Sequence, residues 1–428
     1  MRVDSVLVAI VLAASLAVAA QAQDGFTVTD LGGTYSEGFR INASGQVAGS
    51  TYVNGNFYAF LYSSGNMVDL GTLPGFPASY AAGINSSGQA VGASVDNVST
   101  FNSQAFLYSG GTMTSLGTLL GTFSYARDIN DLGQIVGGSG TGVNSHAFLY
   151  SGGAVTDLGT LGGVESSGTG INNHGQICGW SGIATQSQHA FLYSGGTMMD
   201  IGTLRGNTFS AAVDINDSGQ VTGYSGGCTV NQVAYLQTGR VNCQGRGALH
   251  AFLYSGGRMI DLGTLPGGAQ SQGFGINNDG SVVGFSSGIR FARHAFLYSN
   301  GRIRDLNNLI PANSGWTLLQ ADGINDSGQI TGQGLNPQQQ LRAFLLTPAP
   351  TVALVNKTLS YKLPAEIANS LLAKLNAALS ASPSNAGCAD LSDFIWEVQL
   401  FSGDRLRVAQ ANQLIAAANQ VKASLDCP

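Results

Sequence analysis

Five histidines, a recurring Asp and a recurring Asn are the residues of this chain best suited to chemistry. His146, His189, His250 and His294 each stand directly before Ala-Phe. Tyr58, Gln104 and Arg342 hold that position elsewhere, and His174 sits within Asn-Asn-His-Gly. A ring of imidazoles suggests shared metal ligation. Zn–N bonds are about 2 Å long, whereas packed sheets lie about 10 Å apart. Equivalent residues on neighbouring sheets would therefore meet at one ion only near a common axis, and no metal or other cofactor is expected. Six Asp residues (Asp30, Asp69, Asp157, Asp200, Asp261 and Asp305) occupy one motif position, with Ser115 in the seventh copy. Paired carboxylates can hydrolyse glycosides, but nothing singles out two of these six, and no catalytic residue is assigned. The Asn of Ile-Asn recurs seven times. A ligand seldom needs the same side chain from every repeat, whereas a turn does, so Asx-type turn bonding is expected there. The chain has no Gly-x-Ser-x-Gly, no His-Glu-x-x-His and no phosphate loop, and Asp326-Ser327-Gly328 lacks the alternating acids of a calcium loop.

One position breaks the uniformity. After the Gly of a strand-like run stand Ser50, Ala93, Gly138, Trp180, Tyr224, Phe285 and Gln333. Three consecutive repeats thus carry aromatics there, and His189, His250 and His294 open the following strand of the same repeats. Flat apolar rings beside imidazole donors and acceptors suit stacking on sugar, and loops on a rigid scaffold are where binding usually sits. These six residues are the candidate ligand-binding set. The alternative is that the aromatics pack between repeats.

The elements that must position them come from three marks, each present seven times in one order. Ile-Asn-x-x-Gly begins at Ile41, Ile84, Ile129, Ile171, Ile215, Ile276 and Ile324, with steps of 43, 45, 42, 44, 61 and 48 residues. Ala-Phe-Leu-Tyr-Ser or a variant follows in each copy, and Asp-Leu-Gly or a variant follows it in the first six, with the seventh at Asp30 ahead of the first copy. A period in the low forties with four short strand candidates per unit is that of a propeller blade. Asn-Asp-Ser-Gly (216–219) and Ser-Gly-Gly (194–196) are turn chemistry. They join strands one to two and three to four as hairpins at one end of the unit. The connection between strands two and three, which varies, then falls at the other end. The run 26–32 is a fourth strand with no unit before it, and the last unit stops after its third strand, 342–346. Their pairing would close the ring and remove its edge. The expected fold is an all-β seven-bladed β-propeller of four-stranded blades spanning 23–347, with a β-solenoid as the alternative.

HAFLYSGG, DLGTLGG and INxxGQIVG together resemble the bacterial extracellular HAF repeat family over about residues 26–347. That resemblance implies a secreted bacterial protein and carries no activity. After Pro348-Ala349-Pro350 the pattern turns helical at 366–380, 391–401 and 408–425. The expectation is a linker over 348–362 and a three-helix module over 363–428. The run Asp393-Phe394-Ile395, Val398, Gly403, Ala411, Leu414 and Ala418 resembles the FIMAH domain, found at the C-termini of secreted bacterial proteins.

Residues 1–22 read as a signal peptide, with Arg2, an apolar stretch from Val6 to Ala20, and Ala20-Gln21-Ala22 for cleavage. The apolar run is short for a membrane span, and no span is expected after cleavage. Of five Cys, Cys228 and Cys243 share one insertion and Cys388 and Cys427 share the C-terminal segment. Local bridging predicts those two disulfides and leaves Cys178 free and buried, where other repeats have Val or Ala. A hydrophobic content of 43% excludes disorder, and a net charge of −6 gives no footprint for nucleic acid. The expected function is a secreted, non-enzymatic binding or cell-surface protein whose partner is an extracellular glycan or surface component. The alternative is a propeller hydrolase or lyase acting on a polysaccharide or polyester.

Overall fold

The structure, a computed structural model, describes residues 25–96, 102–141, 144–185, 187–227, 249–288, 293–361, 363–380, 385–424 and 427. The expected signal peptide and the expected Cys228–Cys243 pairing lie outside them. Residues 29–308 and 313–345 form one compact unit, and the C-terminal helices belong to a second.

Seven four-stranded sheets make the propeller, each a meander of neighbouring strands. Blade 1 runs Ser36–Ile41, Val47–Val53, Asn56–Ser63 and Asn66–Gly71 from the axis outward. The innermost strands of blades 2 to 7 are Ala78–Ile84, Phe123–Ile129, Gly162–Ile171, Phe209–Ile215, Gly268–Ile276 and Thr317–Ile324. Blade 7 takes its outermost strand, Phe26–Asp30, from the N-terminal end of the chain, where it pairs with Leu341–Pro348. Leu31 N–H donates to the Ala343 carbonyl at 3.0 Å. The ring closes as the orphan strands predicted.

The repeat follows from how blades stack. The Phe of Ala-Phe is fully buried in every blade, from Phe60 to Phe344. It lies in a core shared with the blade before it: Val91 and Ala105 of blade 2 meet Ala126, Ile135 and Phe148 of blade 3. Ala leaves the room that the next Phe fills, and each buried Phe contributes roughly 1.5–3 kcal/mol. A buried Ser on the next innermost strand adds a polar staple. Ser79 Oγ accepts the Ala59 N–H at 2.9 Å, and Ser36 Oγ accepts that of Ala343 at 2.9 Å, across the point of closure.

Four helices are described in the second unit, one more than the sequence pattern suggests: α1 (Pro350–Ser360), α2 (Ala365–Ser380), α3 (Asn385–Phe401) and α4 (Val408–Ser424). The segment expected as a linker is α1. Its Pro350 stands in the first turn, where the missing N–H is no loss. Leu354, Leu371, Phe394, Leu414 and Val421 are among the side chains of one shared core. Cys388 and Cys427 form the expected disulfide, and Cys178 is free and buried.

Candidate functional site

The seven Asn of Ile-Asn do more than hold turns. Asn172 is typical: its Oδ1 accepts the N–H groups of His174 and Gln176 at 3.1 and 2.9 Å, the Asx turn expected from the repeat. Its Nδ2 donates to Gln176 Oε1 at 2.8 Å and also to the carbonyl of Asn216, the same residue of the next blade, at 3.0 Å. The same inter-blade bond links 42 to 85, 85 to 130, 130 to 172, 216 to 277, 277 to 325 and 325 back to 42. Seven amides therefore form an unbroken hydrogen-bonded circle about the axis. The next position adds an outer arc: the N–H of Ser86 bonds Asp131, and the arc continues through Asn173, Asp217 and Asn278 to Asp326. Acids alternate with amides along it, so the three carboxylates are not neighbours. Ala43 has no side-chain acceptor to offer and interrupts it.

The position before Ile is where the ring departs from sevenfold symmetry. It reads Arg40, Gly83, Asp128, Gly170, Asp214, Gly275 and Gly323. A Cβ on Gly83 or Gly170 would come within 2.8 or 3.2 Å of the Cα of Asp128 or Asp214 on the following blade. Glycine thus lets the strand ends converge, and the axial space is left to Arg40, Asp128 and Asp214. The Arg40 side chain crosses that space. Nη1 donates to the carbonyls of Phe274 and Asp322 at 3.3 and 3.2 Å, and Nη2 to that of Val213 at 3.3 Å, while lying 3.8 Å from Asp214 Oδ1. One guanidinium thereby ties blade 1 to blades 5, 6 and 7. Each Asp reaches to the following blade's Ile: Asp128 Oδ2 accepts the N–H of Ile171 at 2.9 Å, and Asp214 Oδ2 that of Ile276 at 3.0 Å.

Burial drives the electrostatics. It pushes the Asp128 carboxyl up to about 7 despite the attraction of Arg40, with Asp214 adding to the rise. Burial also raises Asp214, against Arg40 and two backbone N–H bonds. Burial alone would lower Arg40, but Asp214, Asp128 and Asp322 together hold it above the ordinary guanidinium value. Burial pushes the Cys178 thiol up, so it is not a thiolate nucleophile. Above this cluster the axis opens into a depression of about 230 Å³, below the roughly 300–1,000 Å³ of usual small-molecule sites.

At the opposite end, where the variable connections lie, the candidate aromatics are covered. Trp180, Tyr224 and Phe285 are 2%, 0% and 3% exposed. They pack with Phe209, Leu249 and Phe274 in one core across blades 4 to 6, and the Arg293 guanidinium lies 3.9 Å above the Phe285 ring. The second strand of blade 4 is Ile177–Ile183, so Trp180 is a mid-strand residue rather than the first of a loop. This is the packing alternative, and it corrects the expectation that these rings are offered to a ligand. Nor do the histidines join them. Trp180 stands opposite Ala190 and His189 opposite Ser181, which puts ring and imidazole on opposite faces of the blade.

The histidines instead engage the repeat Asp. Nδ1 of His146, His189, His250 and His294 lies 2.7–2.9 Å from Asp157, Asp200, Asp261 and Asp305, a hydrogen bond when Nδ1 carries the proton. Asp200 also accepts the Gly202 N–H at 2.7 Å, so one carboxylate fixes both its own turn and the imidazole. No group of three or more His, Cys, Asp or Glu among the described residues is placed to hold a metal ion.

Blade 1 carries an aromatic group that the repeat comparison overlooked. Tyr35, Tyr52, Val53 and Phe57 are 36–41% exposed. Tyr52 and Phe57 are directly opposed on strands joined by Asn54-Gly55, whose φ angles of 49° and 96° make a tight type I′ turn. The Tyr52 N–H donates to the Tyr35 carbonyl at 2.7 Å. Phe57 lies 5.8 Å from Tyr35 at 78° and 5.1 Å from Tyr52 at 61°. The readable signal was Tyr-Val-Asn-Gly-Asn-Phe, a hairpin sequence with an aromatic on each flank.

No helix among the described residues is long and apolar enough to cross a membrane. No family model matches the chain, and no curated protein matches it. Solved structures do resemble it. TolB from Acinetobacter baumannii is 11% identical with a TM-score of 0.38, over 75% of this chain. This chain spans 65%, less than two thirds, of that TolB's own length. A gluconolactonase from Xanthomonas campestris is 10% identical with a TM-score of 0.40, over 77% of this chain and 93% of that one. The Aleuria aurantia lectin is 12% identical with a TM-score of 0.35, over 64% of this chain and 94% of that one.

Proposed function

We propose that this is a secreted, non-enzymatic protein that binds an extracellular glycan through the variable-loop end of its propeller. The observation that carries this reading is the contrast between the two ends. At the axis, Arg40, Asp128 and Asp214 all bond backbone groups of other blades, which is the work of holding a ring. At the variable end, the exposed apolar group on blade 1 is aromatic and, among the described residues, not repeated on another blade, which ring closure does not require. A disulfide in the helical unit suits an oxidising compartment, and a cleaved leader over residues 1–22 would deliver the chain there.

The test is a glycan-array screen of residues 23–428, paired with assays for released reducing ends and unsaturated products. Retention without products is expected. Products without retention would replace this reading with the hydrolase or lyase alternative. One observation favours that alternative: Asp128 titrates near 7 beneath an axial depression, as a general acid or base would. If it holds, Asp128→Asn abolishes turnover.

A further inference from the structure

We infer that Tyr35, Tyr52 and Phe57 form a site for a single chain of neutral sugars, an assignment that rests on the glycan-binding reading and names its site and ligand. Among the described residues such a trio occurs on blade 1 alone. At the matching rung of blade 3 stand Gly140 and Ser145, so blade architecture does not call for rings there. The rings are also held before any ligand arrives. The two-residue turn sets Tyr52 opposite Phe57, the Tyr52–Tyr35 backbone bond brings Tyr35 alongside, and its ring meets the Phe57 ring edge-on. Preorganised rings lose little conformational freedom on binding.

Ring geometry selects among glycans. The faces of packed, crystalline polysaccharide need coplanar aromatics in a row. Here both tyrosines stand steeply to Phe57, at 78° and 61°, which makes an angled cradle that fits around one chain. The C–H face of a pyranose lies on an aromatic ring, while the tyrosine hydroxyls and the exposed Asn54 amide face its hydroxyl groups. Thr34, Tyr35, Tyr52, Val53, Asn54 and Phe57 include no charged side chain, and the protein carries a net −6, so an anionic chain gains nothing here and is repelled overall. A protein partner fits less well, because a stable interface takes about 800 Å² and 20–30 residues per side.

The test is affinity electrophoresis of residues 23–428 in gels containing laminarin, xyloglucan or amylose, with polygalacturonate as the anionic control, beside a pull-down on crystalline cellulose. Retardation by at least one soluble neutral polysaccharide is expected. It should weaken at least tenfold in Tyr52→Ala/Phe57→Ala and in Tyr35→Ala, and return in Tyr52→Trp, with melting temperatures within a few degrees of the parent. Equal retardation of parent and Ala variants would overturn this site while leaving the glycan reading in place. Preference for polygalacturonate or crystalline cellulose would overturn the ligand class. No retention on any of these, or on the array, would overturn both.

Discussion

At the scale of single residues, the axis departs most from the repeat. Its Arg40–Asp128–Asp214 cluster predicts an unusual pH dependence. Asp128 titrates at about 7 when folded, chiefly through burial, and near 3.9 when unfolded. The folded state binds this proton more tightly. Its contribution to stability is therefore fully present below about pH 4 and is lost as pH rises through about 7. The unfolding free energy from urea titrations should fall between pH 5 and 7 by up to about 1.4 kcal/mol per pH unit, lowering the midpoint, and Asp128→Asn should flatten the fall. A midpoint rising with pH over that interval would refute the assignment. Removing the cation instead leaves the acids and the carbonyls of three other blades without it, so Arg40→Met should cost about 3–5 kcal/mol, read as a lower urea midpoint. Trp180→Ala and Tyr224→Ala should each cost about 3–5 kcal/mol through the cavity they open, with glycan retention unchanged in the folded fraction.

At the scale of elements, most of the design was legible. Ile-Asn, Ala-Phe and Asp-Leu-Gly keep one order because each has one place in a blade, so strand order, hairpin ends and closure could all be read. The aromatic position was misplaced because the second strand outlasts its glycine by several residues, which turns a presumed loop residue into an inter-blade one. Arg40, Asp128 and Asp214 were missed for a different reason. They align at one repeat position, but only the convergence of seven strand ends shows that they meet. The helix Pro350–Ser360 was hidden by Pro348-Ala349-Pro350, which reads as a linker although its last proline suits a first helical turn. The disulfide within the helical unit closes a loop with a sequence separation of 39 residues. On the chain-entropy model such a loop contributes about 4 kcal/mol. Cys388→Ser/Cys427→Ser should therefore lower the thermal midpoint of helix loss by circular dichroism at 222 nm. An unchanged midpoint would show that the helix core alone holds this unit.

At the scale of the whole molecule, the propeller depends on a circle with no free edge. Each blade shares its core with the next, and the Asn amides, the Ser staples and Arg40 all run between blades. Stability is then a property of the closed ring rather than a sum over seven independent sheets. The joint most open to test is blade 7, where Phe26–Asp30 and Leu341–Pro348 meet from opposite ends of the chain. Deleting residues 23–32 leaves every other strand in place but turns Leu341–Pro348 into an unpaired edge, and unpaired edges template aggregation. The Asn325-to-Asn42 bond and the Ser36 staple on Ala343 would then hold blade 7 to blade 1 without its outer strand. The truncated protein should unfold at lower urea with a broadened transition and self-associate in sedimentation velocity. A synthetic peptide of residues 25–33 supplied in trans should restore both the midpoint and the monomer. A peptide of the same composition in scrambled order should not, because register alone places Leu31 against Ala343. If the truncated chain keeps its parent's midpoint and remains monomeric, the N-terminal strand is decoration on a ring already closed by its inner contacts.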